Sequence, residues 1–521
     1  MMQSKPKMLI FSHICSQKFV TGAEKLLMFM TRELLQNYAC TLVVPIEGAI
    51  AKQARALGIP VVIQDVPLVV SLYLALSHFP EDIRKKQQEP AWQELFRLIN
   101  RERPDVILTN TCVHPLPAIA TKAFGIPVIW AIMETIEETS YTPESAAIIE
   151  RYADYVIGIS ETSLAPLRTP GMLPKTRRIP PSWEHSGLSP DLWQEHRISR
   201  RNQLGITNEQ RLIGYISSAI FQAKGLEHFM LMAVSVAERF EHARFLIVGN
   251  PVDTVYFEKC MGHARSRNLM ERFRWVRYED RIETIYPAMD VLVIPSLSAE
   301  GFGMTALEGM VFGKPVVVYG SGGLSEIGNA TGNSSYVVPT GNVDGLFRKV
   351  SGLLGDELEL AAVGTRNAKM ALSVFGLPAY RKLLRKFMHD ISGIGPPKRR
   401  LVRGTMPTVY LLEDGVLRPF ASEHSFLKAG YRFEDVHAVP GAMIAALPHG
   451  AAIGQSNKPS SIFPGSSKSA SRGRGRRKRK SGIKQAAGRR KRTGSLSRRA
   501  GRRIRTRRRS AVGVARARRR R

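Results

Sequence analysis

The chain has 521 residues, of which 44% are hydrophobic, and its formal net charge at pH 7 is +32. This length is too great for one hydrophobic core, so we expect two or three domains. The longest nearly uninterrupted apolar run, Val66–Leu76, is too short to cross a bilayer. The N-terminal segment lacks the long apolar region and the cleavage site of a signal peptide. We therefore expect a cytoplasmic chain.

The first half of the chain alternates short apolar runs with helical periods, as doubly wound α/β domains do. We predict its strands at Lys7–Phe11, Ala39–Val44, Pro60–Ile63, Val106–Thr109, Pro127–Ala131 and Tyr155–Ile159. The second half repeats the pattern, with strands predicted at Arg211–Ile216, Ala243–Val248, Phe273–Val276, Val291–Ile294, Pro315–Val318 and Ser335–Val338. Proline, serine and glycine mark the join near Pro180–Pro190. The predicted fold class is thus α/β, with one Rossmann-like domain over residues 1–185 and a second over 186–375.

The segments that follow are shorter. Residues 376–392 have the apolar period of an amphipathic helix. Residues 393–407, rich in glycine and proline, are predicted to be a linker. Residues 408–450 contain apolar runs around Asp414-Gly415, a dipeptide typical of hairpins, and predict a small α+β or β module.

The basic charge is concentrated at the C-terminal end. Residues 468–521 contain 26 Lys and Arg and no Asp or Glu, which leaves +6 of the +32 for the preceding 467 residues. A basic motif recurs with a period of thirteen residues, at Gly475, Gly488 and Gly501, with a degenerate copy from Val514. We predict that residues 451–521 are disordered. A polyanionic surface (anionic membrane, wall polymer or coat protein) is their expected partner, and nucleic acid would bind without sequence specificity.

The four cysteines are far apart, and the sequence has no C-x-x-C and no His/Cys cluster. This spacing favours buried free thiols over a metal site or a disulfide framework.

The most informative motif is the segment Pro295–Ile327. It joins a strand end, a glycine-containing turn, a helix start with two glutamates, and a further apolar strand. Glu300 is predicted to lie at the mouth of the helix and Glu308 about one turn inside it. Free backbone N–H groups at a helix start attract anions such as a diphosphate, and carboxylates accept hydrogen bonds from sugar hydroxyls. The arrangement suits a nucleotide sugar.

This segment resembles the signature of the retaining glycosyltransferases of family 4, which have the GT-B fold. The family's E-G-F-G-x-x-x-x-E, G-x-P-V-V and G-G-x-x-E correspond to Glu300–Glu308, Gly313–Val317 and Gly322–Glu326. The resemblance extends to about residue 392. It implies two Rossmann-like domains that face each other across a cleft, with residues 376–392 crossing back to the first domain.

By the same resemblance, Glu308 would bind the ribose of the nucleotide and Glu300 would contact the donor sugar. The backbone of Phe302, Gly303, Met304 and Thr305 would approach the donor as well. Lys224, which follows the first strand of the second domain, would neutralise charge on the departing diphosphate. An arginine that family members carry a few residues before this lysine is replaced here by the segment Ser217–Ala219.

In the first domain, Gly22 and Glu24 lie in a segment that resembles the family's G-G-A-E-R and would shape the acceptor side of the cleft. A helix-capping turn is the alternative for this segment. Glu134 follows a strand and is a further candidate cleft residue. A histidine common near that strand end is absent, since Ala131 and Met133 occupy its positions. His13 and His114 also follow strands, where single histidines are more often structural, so no role is assigned to them.

Together these features predict a retaining, hexosyl-type glycosyltransferase that uses a nucleoside diphosphate sugar as donor and needs no further cofactor. Its acceptor would be an envelope or surface glycan or a lipid-linked molecule, and its location cytoplasmic, at the inner membrane face or in a spore surface layer. The absence of a D-x-D pair favours metal independence. The alternative is an inactive, glycosyltransferase-like structural protein that binds polyanions through a tail resembling spore-coat basic repeats. A nucleic-acid-binding role would depend on the tail alone.

Overall fold

The computed structural model describes residues 5–17, 20–279 and 281–454. Two parallel β-sheets, each covered by helices, form the body of the molecule. The predicted disordered tail lies almost entirely outside the described residues.

The first domain contains a seven-stranded parallel sheet with the strand order β3-β2-β1-β4-β5-β6-β7. Its strands are β1 Lys7–Phe11, β2 Ala39–Val44, β3 Val61–Ile63, β4 Val106–Asn110, β5 Val128–Ile132, β6 Tyr155–Gly158 and β7 Thr176–Arg178. Its helices are α1 Gly22–Leu34, α2 Ala49–Ala56, α3 Val70–Tyr73, α4 Phe79–Lys86, α5 Pro90–Glu102, α6 Pro115–Phe124, α7 Thr142–Tyr152 and α8 Glu161–Leu164. Every residue of β4 and β5 is buried, as expected for strands with helices on both faces.

The second domain has a six-stranded parallel sheet with the order β10-β9-β8-β11-β12-β13. Its strands are β8 Arg211–Ile220, β9 Ala243–Pro251, β10 Phe273–Val276, β11 Val291–Ile294, β12 Val316–Tyr319 and β13 Val337–Val338. Its helices are α9 Trp193–Leu204, α10 Leu226–Arg239, α11 Thr254–Arg265, α12 Ile282–Ile285, α13 Met304–Val311, α14 Gly323–Ala330, α15 Val343–Gly355 and α16 Glu357–Phe375. In both sheets the strand order reverses next to the first strand, and open α/β sheets bind ligands at the carboxyl ends of strands at such a point.

Helix α17, Leu377–Asp390, packs against the first domain. Its Tyr380 meets Phe29 of α1 edge to face, with ring centroids 5.1 Å apart. Arg381 of α17 donates two hydrogen bonds to the buried Glu33 of α1, at 2.6 and 2.9 Å. An aromatic contact and a bidentate ion pair therefore join the end of the second domain to the first.

A four-stranded sheet with the order β16-β15-β14-β17 follows. Its strands are β14 Arg399–Arg403, β15 Val409–Glu413, β16 Val416–Pro419 and β17 His437–Ala438, and its helices are α18 Glu423–Lys428 and α19 Gly441–Ala446. One face of this sheet, together with α19, packs on α5. Leu412 and Leu417 of the sheet and Met443 of α19 share an apolar cluster with Phe96 of α5. Asn100 Nδ2 also donates to the carbonyl of Gly415, at 3.1 Å.

Two predicted boundaries are wrong. The linker expected at 393–407 contains strand β14, which pairs along its whole length with β15. Within β14, Leu401 and Val402 point to opposite faces and enter two different apolar clusters, an alternation that the adjacent prolines and basic residues obscured. Residues 451–454, which were assigned to the tail, belong to the described structure, since Ile453 forms a bridge with Phe420.

All four cysteines are buried free thiols, as predicted. Over the described ranges, no helix combines the length and the apolar character that crossing a bilayer requires.

Candidate functional site

The carboxyl ends of the two sheets face each other at the loops that follow β5, β6 and β11. A Cβ atom added to Gly301 would lie 3.2 Å from the carbonyl oxygen of Met133, so the two backbones approach closely there. Ser160 Oγ donates a hydrogen bond to the carbonyl of Gly301. A side chain at position 301 would crowd the facing domain, which glycine avoids. The glutamate motif therefore lies in the cleft between the domains.

Glu300, in this motif, forms an ion pair with Lys224. Lys224 Nζ donates to Glu300 Oε1 at 2.7 Å, and Ser296 Oγ donates to the same oxygen at 2.7 Å. Lys224 lies in the turn between β8 and α10, and Glu300 follows β11, which is the neighbour of β8 in the sheet. Both side chains remain partly exposed, at 29% and 22%. The ion pair is therefore accessible to a ligand that enters the cleft.

The residues between the two glutamates form the start of α13, as predicted. Phe302 is 5% exposed and packs edge to face on Phe375, which anchors the turn. Gly303 precedes the helix with φ of +104°, a conformation that side chains rarely adopt. The helix begins at Met304, and Thr305 lies in its first turn. The first N–H groups of α13, which have no partner within the helix, thus follow Glu300 closely in the chain.

Glu308 lies one turn into α13 and is fixed by a buried tyrosine. Tyr286 OH donates to Glu308 Oε2 at 2.6 Å, and Tyr286 is itself fully buried and stacked on Phe312. Burial raises the pKa of Glu308, while the hydrogen bond from Tyr286 and the positive charge of Lys25 oppose that rise. The second oxygen of the Glu308 carboxyl group is left to accept hydrogen bonds from a ligand.

The charge of Lys25 acts on Glu308 from the other domain, because Lys25 belongs to the first turn of α1.

Gly22 begins helix α1, and nothing lies within 4 Å of the place where its Cβ would be. The carboxyl group of Glu24, a candidate for the acceptor side of the cleft, is hydrogen-bonded at the start of its own helix. It accepts hydrogen bonds from the amide and the hydroxyl of Thr21, both at 2.8 Å, and so caps its own helix.

Glu134 follows β5 and lies beside the loop that carries Gly301. Its Oε1 accepts from Cys112 N at 2.6 Å and Cys112 Sγ at 2.8 Å, and its Oε2 accepts from Met133 N at 3.1 Å. Burial raises the pKa of Glu134 and that of Cys112. The Cα atom of Glu134 is 3.4 Å from a Cβ placed on Gly301. The structure thus brings Glu134 next to the loop that carries Glu300.

Several residues around the motif escaped the sequence analysis. Tyr286 and Ser296 position the two glutamates, and neither has a sequence pattern of its own. Glu326, the last residue of the matched motif, had no predicted role. It accepts from the amide of Glu161 at 2.8 Å and from the amide and hydroxyl of Thr162 at 2.7 and 2.5 Å. These bonds cap helix α8 of the first domain with a carboxylate of the second.

The structure also shows the segment that stands where family members carry an arginine. Ser217–Ala219 form part of β8, where Ser217 Oγ donates to the carbonyl of Ala219 at 2.8 Å. These side chains supply no positive charge beside Lys224. Within the described residues, no group of three or more His, Cys, Asp or Glu side chains is arranged to bind a metal ion.

Two doubly wound domains that face each other, with a glutamate-flanked helix start between them, define the GT-B fold, as predicted. Residues 197–370 match the family model described as Glycosyl transferases group 1. That match covers the second domain and includes Lys224, Glu300 and Glu308.

Among curated proteins, the chain is similar to an uncharacterised glycosyltransferase of Methanocaldococcus jannaschii, with 30% identity over 177 residues, covering 33% of this chain and 44% of the relative. It is also similar to the 2-deoxystreptamine glucosyltransferase of Streptomyces kanamyceticus, with 31% identity over 154 residues, covering 29% and 38%. The chain therefore spans less than half the length of these two relatives.

A structure of the Anabaena protein HepE in complex with UDP-glucose superposes with a TM-score of 0.61 at 18% identity, covering 74% of this chain and 100% of that one. That likeness supports the fold.

Proposed function

We propose that the chain is a glycosyltransferase that takes a hexosyl-type sugar from a nucleoside diphosphate sugar and transfers it, with retention at the anomeric carbon, to a hydroxyl group of an acceptor. The observation that carries the proposal is the Lys224–Glu300 ion pair at the start of α13, with Glu308 one turn away. The similarity of residues 197–370 to group 1 glycosyltransferases supports it. The curated relatives, which include a glucosyltransferase, support a sugar donor.

The residues divide into binding and chemical roles. Glu308, fixed by Tyr286, would accept hydrogen bonds from the ribose hydroxyls. The free amides at the start of α13, near Gly303 and Met304, would face the diphosphate, since negative charge is favoured at a helix N-terminus. Lys224 would then stabilise the charge that develops on the leaving diphosphate, and Glu300 would orient the sugar.

Donor binding has to break or share the Lys224–Glu300 pair. Because both side chains are partly exposed, at 29% and 22%, water screens the pair and separating it costs less than separating a buried pair. The lysine can therefore turn towards a diphosphate without a large penalty. The pair also keeps Lys224 extended towards the cleft before the donor arrives.

The test is a screen of nucleoside diphosphate sugars against the full-length chain, measuring release of nucleoside diphosphate. Lys224→Ala should lower kcat/KM by about 100-fold, because it removes a charge that acts mainly in the transition state. Lys349→Ala, a change of an exposed lysine on α15, is the matched control and should leave the rate unchanged. Release of nucleoside diphosphate at the wild-type rate by Lys224→Ala would refute the assignment. The screen repeated with EDTA tests the proposed metal independence.

The basic segment 468–521 lies outside the described residues, and its role is part of the proposal. Its 26 positive charges would attach the enzyme to a polyanionic surface. Arginine dominates the segment, which favours bidentate phosphate contacts. Aromatic residues are absent from its sequence, so stacking on single-stranded bases is not expected.

A further inference from the structure

A groove lies where strand β17 ends its pairing with β14. Its volume is about 310 Å³, and its walls include Arg399, Arg400 and Leu401 of β14, Tyr431, which precedes β17, and His437, which begins it. This volume is at the lower end of the range for ligand pockets, about 300–1,000 Å³. The groove belongs to the small four-stranded sheet, beyond the residues that match the glycosyltransferase family. Its ligand would therefore be separate from the donor and the acceptor of the proposed transfer.

One wall of the groove is a strand edge that lacks a neighbour. Strand β17 pairs with Val402 and Arg403 and stops there, whereas β14 begins at Arg399. Val439 N donates to the carbonyl of Arg403, so the peptide groups of Arg403 point towards β17. Because peptide groups alternate in direction along a strand, those of Leu401 and Arg399 point to the same edge. Along Arg399 this edge has no strand partner in the part of the chain that the structure describes, and an unpaired edge is a template for another chain.

Arg400 supplies a cation that lacks an anion. Its guanidinium lies at the end of α6, where a Cβ placed on Gly125 would clash with one of its Nη atoms. A helix C-terminus favours a cation. Over the described ranges, however, Arg400 has neither an ion pair nor a hydrogen-bond acceptor, and its Nε is buried without a partner. Burial lowers the pKa of Arg400, and no carboxylate opposes that effect. The donors of this guanidinium are therefore left for a ligand.

Two carboxylates near the groove are already paired with other arginines. Glu413 accepts from Arg399 Nε at 2.5 Å. Asp435 lies 3.7 Å from Arg432 Nε. The segment Pro397–Arg403 itself contains four basic residues and no acidic one. The groove thus keeps an excess of positive charge, which complements a carboxylate.

The two faces of β14 differ in polarity at this edge. Leu401 is 6% exposed and shares an apolar cluster with Tyr431. The ring of Tyr431 packs on those of Phe420 and Phe426, with centroids 5.7 and 5.9 Å apart. Because side chains alternate between faces, Arg400 points to the opposite side of the strand from Leu401. A strand added at this edge would meet a cation on one face and an apolar, aromatic surface on the other.

We propose that the groove binds a short extended segment of a partner protein, which pairs with β14 at Arg399–Leu401 and places an acidic side chain on Arg400. An added strand gains affinity from main-chain hydrogen bonds and specificity from its alternating side chains. A carboxylate accepts two parallel hydrogen bonds from a guanidinium, which is the pairing that Arg400 lacks. The residues on either side of the acidic one would be apolar, because they face Leu401 and Tyr431. The recognised pattern is therefore apolar, acidic, apolar.

The experiment measures binding to the full-length chain by saturation-transfer NMR titration. The probes are the peptides acetyl-Val-Glu-Val-Gly-amide and acetyl-Val-Gln-Val-Gly-amide, which differ in one charge. Succinate and inorganic phosphate test for an anion site that needs no peptide backbone. The titrations are run at ~0.15 M salt to screen long-range attraction to the basic segment 468–521.

Two pairs of variants separate the charge from the strand edge. Arg400→Gln removes the guanidinium, and Arg403→Gln, a change of an exposed arginine at the other end of β14, is its matched control. Arg399→Pro removes an N–H group from the open edge at the first position of the strand, where proline is tolerated. Arg399→Ala is the control for that variant, because it changes the side chain and keeps the N–H group.

The acidic peptide should bind the wild-type chain and both controls. Its Kd should rise by about 10-fold or more in Arg400→Gln and in Arg399→Pro, and the glutamine peptide should bind the wild type more weakly by a similar factor. The melting temperature of Arg400→Gln should equal that of the wild type, because its guanidinium has no partner to lose.

Four results would overturn the proposal: no saturation transfer to the acidic peptide, equal binding of the two peptides, acidic-peptide binding that either Arg400→Gln or Arg399→Pro retains, and succinate or phosphate binding as tightly as the acidic peptide. A lower melting temperature in Arg400→Gln would also overturn it, since Arg400 would then serve the contact with α6. None of these outcomes depends on sugar transfer, so this proposal and the proposed function fail separately.

Discussion

Replacing Glu326 by alanine should loosen helix α8 on the far side of the cleft. The Glu326 carboxylate accepts three hydrogen bonds, from Glu161 N, Thr162 N and Thr162 Oγ1, at 2.5–2.8 Å. Hydrogen bonds to charged groups are worth about 1.5–3 kcal/mol each, and loss of a helix N-terminal cap costs about 0.5–2 kcal/mol. The three bonds share one carboxylate and are only partly buried, so their contributions do not add fully. We expect a loss of about 2–4 kcal/mol.

That loss corresponds to a change of roughly 30- to 700-fold in the local opening equilibrium, at 1.4 kcal/mol per factor of ten. Amide hydrogen exchange reports local opening directly. The amides of Glu161 and Thr162 should therefore exchange faster in Glu326→Ala by a factor in that range. Glu326→Gln, which keeps an acceptor oxygen but no charge, should give an intermediate effect.

Glu144→Ala provides the control, because Glu144 is an exposed glutamate in the first turn of α7. Its effect on the same two amides should be negligible. If exchange at Glu161 and Thr162 in Glu326→Ala stays within about fivefold of the wild-type rate, the inter-domain cap contributes little and the reasoning is refuted.

Three further results are expected. Tyr286→Phe should weaken nucleotide binding by about 5- to 20-fold in calorimetry, because it removes the hydroxyl that fixes Glu308, which corresponds to roughly 1–2 kcal/mol; an unchanged Kd would contradict this role. His114 has a folded-state pKa of about 3 against an ordinary 6.5, so the unfolded chain takes up the proton first and stability falls as pH drops below 6.5. Between pH 7 and pH 5 this group should cost about 2 kcal/mol in denaturant unfolding, and a His114→Phe chain that shows the same pH dependence as wild type would disprove it. Removal of residues 468–521 should abolish co-sedimentation with anionic vesicles at ~0.15 M salt and preserve nucleoside diphosphate release; vesicle binding that survives the deletion would exclude the tail as the tether.

The sequence predicted the parallel sheets well, because fully buried strands such as β4 and β5 are near-continuous apolar runs bounded by turns. It also predicted the start of α13, since Gly303 and the spaced glutamates form a local pattern. The small edge strand β7, Thr176–Arg178, was missed, because it is short, polar and half-buried and differs little from a loop. Strand β14 was assigned to a linker for a similar reason.

The candidate site was predictable only where its parts are close in sequence. Glu300 and Glu308 belong to one segment, whereas Tyr286 and Lys25 reach Glu308 through tertiary structure. The sequence left the role of Glu24 open, because a capping box and a cleft residue have the same local sequence. The groove beside β14 could not be found from sequence, since it exists only because β17 stops pairing before it reaches the start of β14.

The docking of β14–β17 on α5 affects how the chain becomes folded during synthesis. Met443 and Leu417 pack beside Phe96, so the outer layer of the first domain is completed by residues made more than three hundred positions later. Until the ribosome has released them, the apolar face of α5 is uncovered, and a nascent chain is exposed to aggregation there. A fragment that stops at residue 392 would carry the same uncovered face permanently. Stable fragments of this protein should therefore end after residue 454.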